Sequence, residues 1–265
     1  MEKFKIALPI ILVVFFTALI MLSSQQLKTT KLFSVSQNDY VNFQFNYQFL
    51  LLLITLLSLT VTYFLNKENF LNYFTFGDIS TPAKELKLFG IKANDSWLKT
   101  GISLTIFISL ATATFMYFQL KQSQVNWDLL KSGIFWILLF SLTNSFGEEM
   151  IFRMGIVSPL KGILQPMTIF IISAILFGLP HMAGMPSGLI GATMAGILGL
   201  VLAKSLYETN GFFWAWIIHF LQDVIIIGTL FLMATKKYAK FEKAQQVTSV
   251  LQKCPERESN PYILS

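Results

Sequence analysis

The sequence predicts an all-α bundle that crosses a membrane about seven or eight times. Three observations carry that prediction. Hydrophobic residues make up 54% of the 265-residue chain and charged residues only 13%, against roughly 25% charged in a soluble domain. Seven apolar stretches approach or exceed the length of about 20 residues that a spanning helix needs; they lie near 6–23, 48–65, 101–118, 133–157, 167–184, 187–206 and 211–233. Finally, backbone that faces lipid must satisfy its own hydrogen bonds, so helices are the expected spans.

The first stretch follows "MEKFK", a basic start like that of a signal peptide. Its apolar run is long and no A-x-A cleavage site follows, so it reads as an uncleaved span. The second stretch leads into the longest polar segment, 66–100, where Phe, Leu, Trp97 and Lys are mixed. That mixture suggests an interfacial stretch against lipid headgroups. Between Gly101 and Met233 the apolar stretches follow one another closely and read as one helical core. From Lys236 onward the chain is polar, with "KFEKAQQ" helix-like and "PERESNP" expected to be disordered. The expected organisation is therefore residues 1–100 as two spans plus an interfacial loop, 101–235 as the core, and 236–265 as a polar tail.

Charge placement excludes more than it decides. With seven spans, Lys and Arg divide ten against ten between the two sides, so the positive-inside rule does not fix the orientation. The net charge of +6 shows no nucleic-acid signature; the basic tail reads as solvated or headgroup-facing. Cys254 is the single cysteine, which rules out an internal disulfide and a multi-cysteine metal site. The expected location is a bilayer, as a multi-pass protein of a bacterial inner or plasma membrane.

Against this apolar background the ionisable residues stand out, because placing them in a membrane is costly and points to function. "GEEMIFRMG" (147–155) puts Glu148, Glu149 and Arg153 after an uncharged run. Both histidines of the chain fall in apolar segments, His181 in "AILFGLPHMAG" and His219 in "WAWIIHFLQD", which ends in Asp223. Residues four apart on a helix share a face. Glu149 and Arg153 can therefore pair, while Glu148 is turned about 100° away and is free to face a cavity. His219 and Asp223 have the same spacing, so the carboxylate could orient the ring or share a ligand with it. At about 1.5 Å of rise per residue, all of these groups fall near the middle of the bilayer on three helices. Taken singly, each has a structural reading: a packing ion pair, or a polar group joining helices. "MAGILG" (194–199) reads as close helix packing without chemistry.

The order E-E-x-x-x-R (148–153), F-x-x-x-H (177–181), H-x-x-x-D (219–223) resembles the three-motif signature of the CPBP family of intramembrane proteases. That family includes the CAAX prenyl proteases of the Rce1 type, and the resemblance covers roughly 130–225. Asp223 stands where the prenyl-protease branch has Asn. The resemblance implies an intramembrane endopeptidase with Glu148, His181, His219 and Asp223 as catalytic residues and Glu149, Arg153 and Phe177 as support. Glu148 would activate water. His181 would hold that water or protonate the leaving amine, and His219 with Asp223 would serve the oxyanion side, Asp223 by orienting or ligating. The substrate it implies is a membrane-associated peptide or lipidated protein.

A glutamic and a metallo-endopeptidase both remain open. His181, His219 and Asp223 could hold Zn²⁺, but the H-E-x-x-H helix of zinc proteases is absent, and the reading leans to no cofactor. Ser187 in "GMPSGLIGA" (184–192) offers a serine-protease reading that imperfectly resembles the rhomboid pattern. Two non-proteolytic roles compete with these: a scaffold or immunity protein of the same family, and a proton-coupled transporter.

Overall fold

A computed structural model describes residues 2–30, 32–121, 127–184 and 186–253. The described residues are almost all helical, with three isolated β-bridges. The expected disordered end and Cys254 lie outside them, whereas "KFEKAQQ" is helical as expected. The helices are α1 (Glu2–Gln26), α2 (Asp39–Leu65), α3 (Lys67–Tyr73), α4 (Trp97–Lys121), α5 (Trp127–Glu149), α6 (Gly155–Leu160), α7 (Pro166–Gly178), α8 (Gly188–Thr209) and α9 (Phe213–Lys253). Among the described residues, α1, α2, α4, α8, α9 up to Met233 and the stretch Pro166–Ala183 are long and apolar enough to cross a membrane. The chain is an integral, multi-pass helical membrane protein.

The expected span 133–157 is more complex than a single helix. Helix α5 carries Asn144 and both glutamates near its end and is not among those six apolar spans. It continues through a π-helical turn, Met150–Met154, into α6. Every residue from Met150 to Leu160 is buried. The segment accommodates the charge of Arg153 because other helices, not lipid, surround it.

Local signals explain the helix ends. The Asn38 side chain accepts from the Tyr40 and Val41 amides (2.9 and 3.3 Å), which caps α2. Pro166 occupies the first turn of α7, where its missing N–H has no helical partner to lose. Asn210 ends α8 with φ 49°, a left-handed conformation that Asn tolerates.

Packing sets the relative directions. Gln48 meets Asn144, Leu51 and Thr55 lie beside Gly147, and Ser58 lies beside Gly155, so α2 runs parallel to α5–α6. Phe231 lies against Gly133 and His219 against Glu149, so α9 runs antiparallel to α5. Helices α7 and α8 approach closely: a Cβ on Gly178 would sit 2.6 Å from the Ala192 carbonyl. Gly199 packs under Ala174 and Phe177. The packing reading of "MAGILG" therefore holds.

The segment 66–100 turns its tryptophan inward onto the helices. Trp97 is fully buried and its indole N–H donates to Glu208 Oε2 (3.0 Å). Glu208 also accepts from the Lys84 amide (3.1 Å). Lys204 pairs with Glu208 and donates to the Lys84 carbonyl. These polar contacts strap the loop onto α8, and they outweigh a headgroup position for the indole. Leu88, in the same segment, is strongly exposed, at 85%.

Candidate active site

Four elements meet at one level of the bundle: the end of α5, the π-helical turn, the end of α7, and α9. Glu149 lies at their centre, fully buried. Its Oε2 is 3.1 Å from Arg153 Nε, the expected pair. Its Oε1 is 2.7 Å from His219 Nδ1. The carboxylate can only accept there, so Nδ1 carries a hydrogen and Nε2 points into the site. Nε2 then lies 3.7 Å from both Glu148 Oε2 and Asp223 Oδ1. The expected His219–Asp223 proximity is present, but the residue that fixes the ring is Glu149.

His181 is the second positioned ring. It lies on a 3-10 turn, Leu179–Ala183, one step beyond α7 and outside the α-helix itself, because Pro180 interrupts the helical pattern. Its Nδ1 is 2.7 Å from the Phe177 carbonyl. A carbonyl only accepts, so this ring too carries its hydrogen on Nδ1 and presents Nε2 outward. Phe177 is the common support: its ring lies 4.5 Å from that of His181, 5.5 Å from that of His219 and 5.3 Å from that of Phe152. The Arg153 guanidinium sits over it, 3.9 Å from the centroid.

Asn144 is a site residue that the motifs do not contain. Its amide donates to Glu148 Oε1 (3.2 Å) and to Asp223 Oδ2 (3.0 Å), so it ties two carboxylates together. Gln48 on α2 backs it (3.4 Å) and is in turn held by Thr143 (2.9 Å). A signal existed: Asn144 is one turn before Glu148 in an apolar helix. Asp223, standing where an Asn occurs in the prenyl-protease branch, can accept from Asn144 with either oxygen.

Two chambers flank this cluster. One, of about 370 Å³, lies between α1, α2 and the 3-10 turn; Glu148, His181, Tyr47, Gln44 and Lys28 are among its walls. The other, of about 490 Å³, is largely apolar and lies between α4, α8 and α9, with Phe177, His181, His219 and Asp223 on its inner wall. Phe107, Met194 and Ile197 also line it and are exposed on the outer face, so it opens sideways between α4 and α8. His181 borders both chambers. Ser187 occupies the N-cap position of α8 without a side-chain capping bond and is not among the described residues lining either one.

Residues 130–225 match the family model described as Rce1-like, type II CAAX prenyl endopeptidase. This segment, 96 of the 265 residues, is similar to that family. The matched segment spans most of α5 to the first third of α9, contains all three motifs, and is similar to CAAX-type intramembrane peptidases. No curated protein and no solved structure matches the chain. Outside the Rce1-like core, α1, α2 and α4 complete the walls of both chambers.

Among the described residues, no three His, Cys, Asp or Glu side chains form a metal-holding group. His219 donates from Nδ1 to Glu149, which leaves Nε2, 3.7 Å from Glu148 and from Asp223, as the ring atom that could hold a metal.

Proposed function

We propose that the protein is a glutamic-type intramembrane endopeptidase that cleaves a membrane-associated or lipidated peptide lying across the two chambers. The observation that carries this reading is the placement of Glu148. It is the one glutamate of the pair that reaches a chamber, and it does so beside two histidines whose Nδ1 atoms are already committed.

In this mechanism Glu148 takes a proton from a water molecule, whose oxygen attacks the scissile carbonyl carbon. Asn144 holds the carboxylate by one oxygen and leaves the other to face the water. The carbonyl oxygen becomes an oxyanion, and His219 in its imidazolium form donates from Nε2 toward it. Asp223 orients that ring face and balances its charge. Collapse breaks the C–N bond, and the proton held by Glu148 passes to the departing amine, directly or through His181 Nε2. Glu149 and Arg153 touch no substrate; they hold His219 and the π-helical turn. The apolar chamber, open to the bilayer, would receive the hydrophobic or lipid part of the substrate. No step requires a metal.

The test is cleavage of a panel of lipidated and hydrophobic peptides by the purified protein in detergent, read by mass spectrometry, with His181→Ala and His219→Ala alongside. Cleavage at one bond by the wild type, reduced by orders of magnitude in both variants, supports the peptidase reading. Equal cleavage by all three would refute these assignments. A folded wild type that cleaves nothing would favour a scaffold or immunity role, with the cluster serving only to join helices.

A further inference from the structure

We propose that the loop 82–96 is a membrane-inserted hairpin that binds anionic phospholipid. Leu88 enters the acyl region beside the apolar chamber, and Lys84, Lys87 and Lys92 take the lipid phosphates. The inference does not depend on the peptidase reading, and all four residues lie outside the segment that matches the family model.

The hairpin is built from local backbone pairing. The Ala83 amide donates to the Asp95 carbonyl (2.8 Å) and the Asn94 amide to the Ala83 carbonyl (3.1 Å). Nearer the tip, the Leu86 amide donates to the Ile91 carbonyl (2.9 Å) and the Ile91 amide returns the bond (3.3 Å). A 3-10 turn, Lys87–Phe89, closes the hairpin, with Gly90 left-handed at φ 66°. A lone two-stranded hairpin is marginal in water, but this one is fixed at its base. Glu208 and Lys204 hold the Lys84 backbone, and Trp97 is buried just past the second strand. The tip is thereby set in place.

Its depth follows from what it borders. Glu208 lies one residue before the end of α8, a membrane span. Leu88 and Phe89 line the apolar chamber. The α8 residue of that chamber nearest the helix end is Val201, seven residues and about 10 Å short of Glu208. The hairpin thus descends from the end of the span to the sideways opening between α4 and α8. Leu88 is the most exposed large hydrophobic side chain among the described residues. Phe107, Met194 and Ile197 are exposed around the same opening. Lipid chains are the surroundings that suit these side chains.

The charges fit a phosphate layer just above. Lys99 pairs with Asp95 (3.1 Å). Lys84, Lys87 and Lys92 are exposed and face one remaining hairpin acid, Glu85, so positive charge is in surplus. A lysine can lay its stem along apolar surface and keep its ammonium at the headgroups, where basic residues attract anionic lipid. An apolar tip flanked by lysines therefore matches both parts of one anionic phospholipid.

Cys254 is the only cysteine, so Leu88→Cys in a Cys254→Ser background takes a single nitrobenzoxadiazole label. The labelled full-length protein is reconstituted into nanodiscs of phosphatidylglycerol and phosphatidylcholine in equal parts, with bromine on the acyl chains of one lipid or the other. The expected result is the emission of an apolar environment, with quenching that corresponds to about fivefold more phosphatidylglycerol than phosphatidylcholine at the label, the preference that about one lysine near an anionic surface gives. Changing Lys84, Lys87 and Lys92 together to Gln is expected to equalise the two lipids, and changing them to Arg to keep the preference. Water-like emission without quenching would put the tip in the aqueous phase, open to a soluble partner. Apolar emission without quenching would put it inside the chamber. Either result would overturn the inference, as would equal quenching by both lipids or a preference that survives the triple Gln variant.

Discussion

Glu149→Gln removes one negative charge at nearly constant shape, and the geometry around it dictates what should follow. Both oxygens of Glu149 are in use: Oε2 faces Arg153 Nε at 3.1 Å and Oε1 accepts from His219 Nδ1 at 2.7 Å. A glutamine amide offers one acceptor and one donor. Its –NH₂ must therefore oppose either the guanidinium or the Nδ1 hydrogen. If it opposes His219, the ring must give up its Nδ1 hydrogen or rotate out of line, and either the imidazolium or the placement of Nε2 beside Glu148 and Asp223 is lost. If it opposes Arg153, a fully buried cation is left without its counter-charge. Breaking a buried pair costs about 3–5 kcal/mol. A mis-set histidine tautomer has cost a serine protease about 10⁴ in kcat. We expect kcat to fall by about 10²–10⁴, in line with that comparison, with KM little changed because Glu149 does not line either chamber. The assay is steady-state cleavage by detergent-purified protein, with thermal unfolding in parallel. A variant with wild-type kcat would refute the positioning role assigned to Glu149, whatever its stability.

Other outcomes follow from the same geometry. Glu208→Ala leaves Lys204 without its carboxylate and the Lys84 and Trp97 N–H groups without their acceptor; a loss of about 3–5 kcal/mol is expected, and an unchanged Tm in detergent would contradict it. Gly178→Ala places a Cβ 2.6 Å from the Ala192 carbonyl, whereas Gly196→Ala meets nothing closer than 3.4 Å. The first should cost about 1–3 kcal/mol of overpacking and lower activity by displacing Phe177 and His181; the second should do neither. Equal Tm values for the two would count against the α7–α8 packing described. Dialysis against a chelator should leave cleavage unaltered, and loss of activity restored by zinc would replace the glutamic mechanism with a metal-dependent one.

Much of this site is legible in the sequence because helix spacing is local. The i, i+4 relation gives the Glu149–Arg153 pair, turns Glu148 toward a cavity, and puts His219 near Asp223. What spacing cannot give is a contact between distant helices. Glu149 and His219 are 70 residues apart, so the division of Glu149 between an arginine and a histidine becomes visible only when α5 and α9 pack. Asn144 is readable in principle, as a polar residue one turn before Glu148. Gln48 and Tyr47 are not, because they belong to α2 and reach the site only through its parallel packing on α5. The apolar pattern locates five of the spans to within four residues, but it starts the second nine residues late, because α2 (Asp39–Leu65) opens with polar turns. It over-simplifies 133–157, where burial by other helices rather than by lipid allows a π-helical turn and two glutamates. The burial of Trp97 is not readable in the sequence, because its partner, Glu208, lies 111 residues away.

The most direct measurement compares peptide cleavage by wild type, Glu148→Gln and Ser187→Ala, each verified as folded by thermal unfolding in detergent. The account predicts cleavage by wild type and Ser187→Ala at similar rates and none above background by Glu148→Gln. Wild-type rates in Glu148→Gln, or activity lost only in Ser187→Ala, would contradict the claim that this carboxylate activates the water.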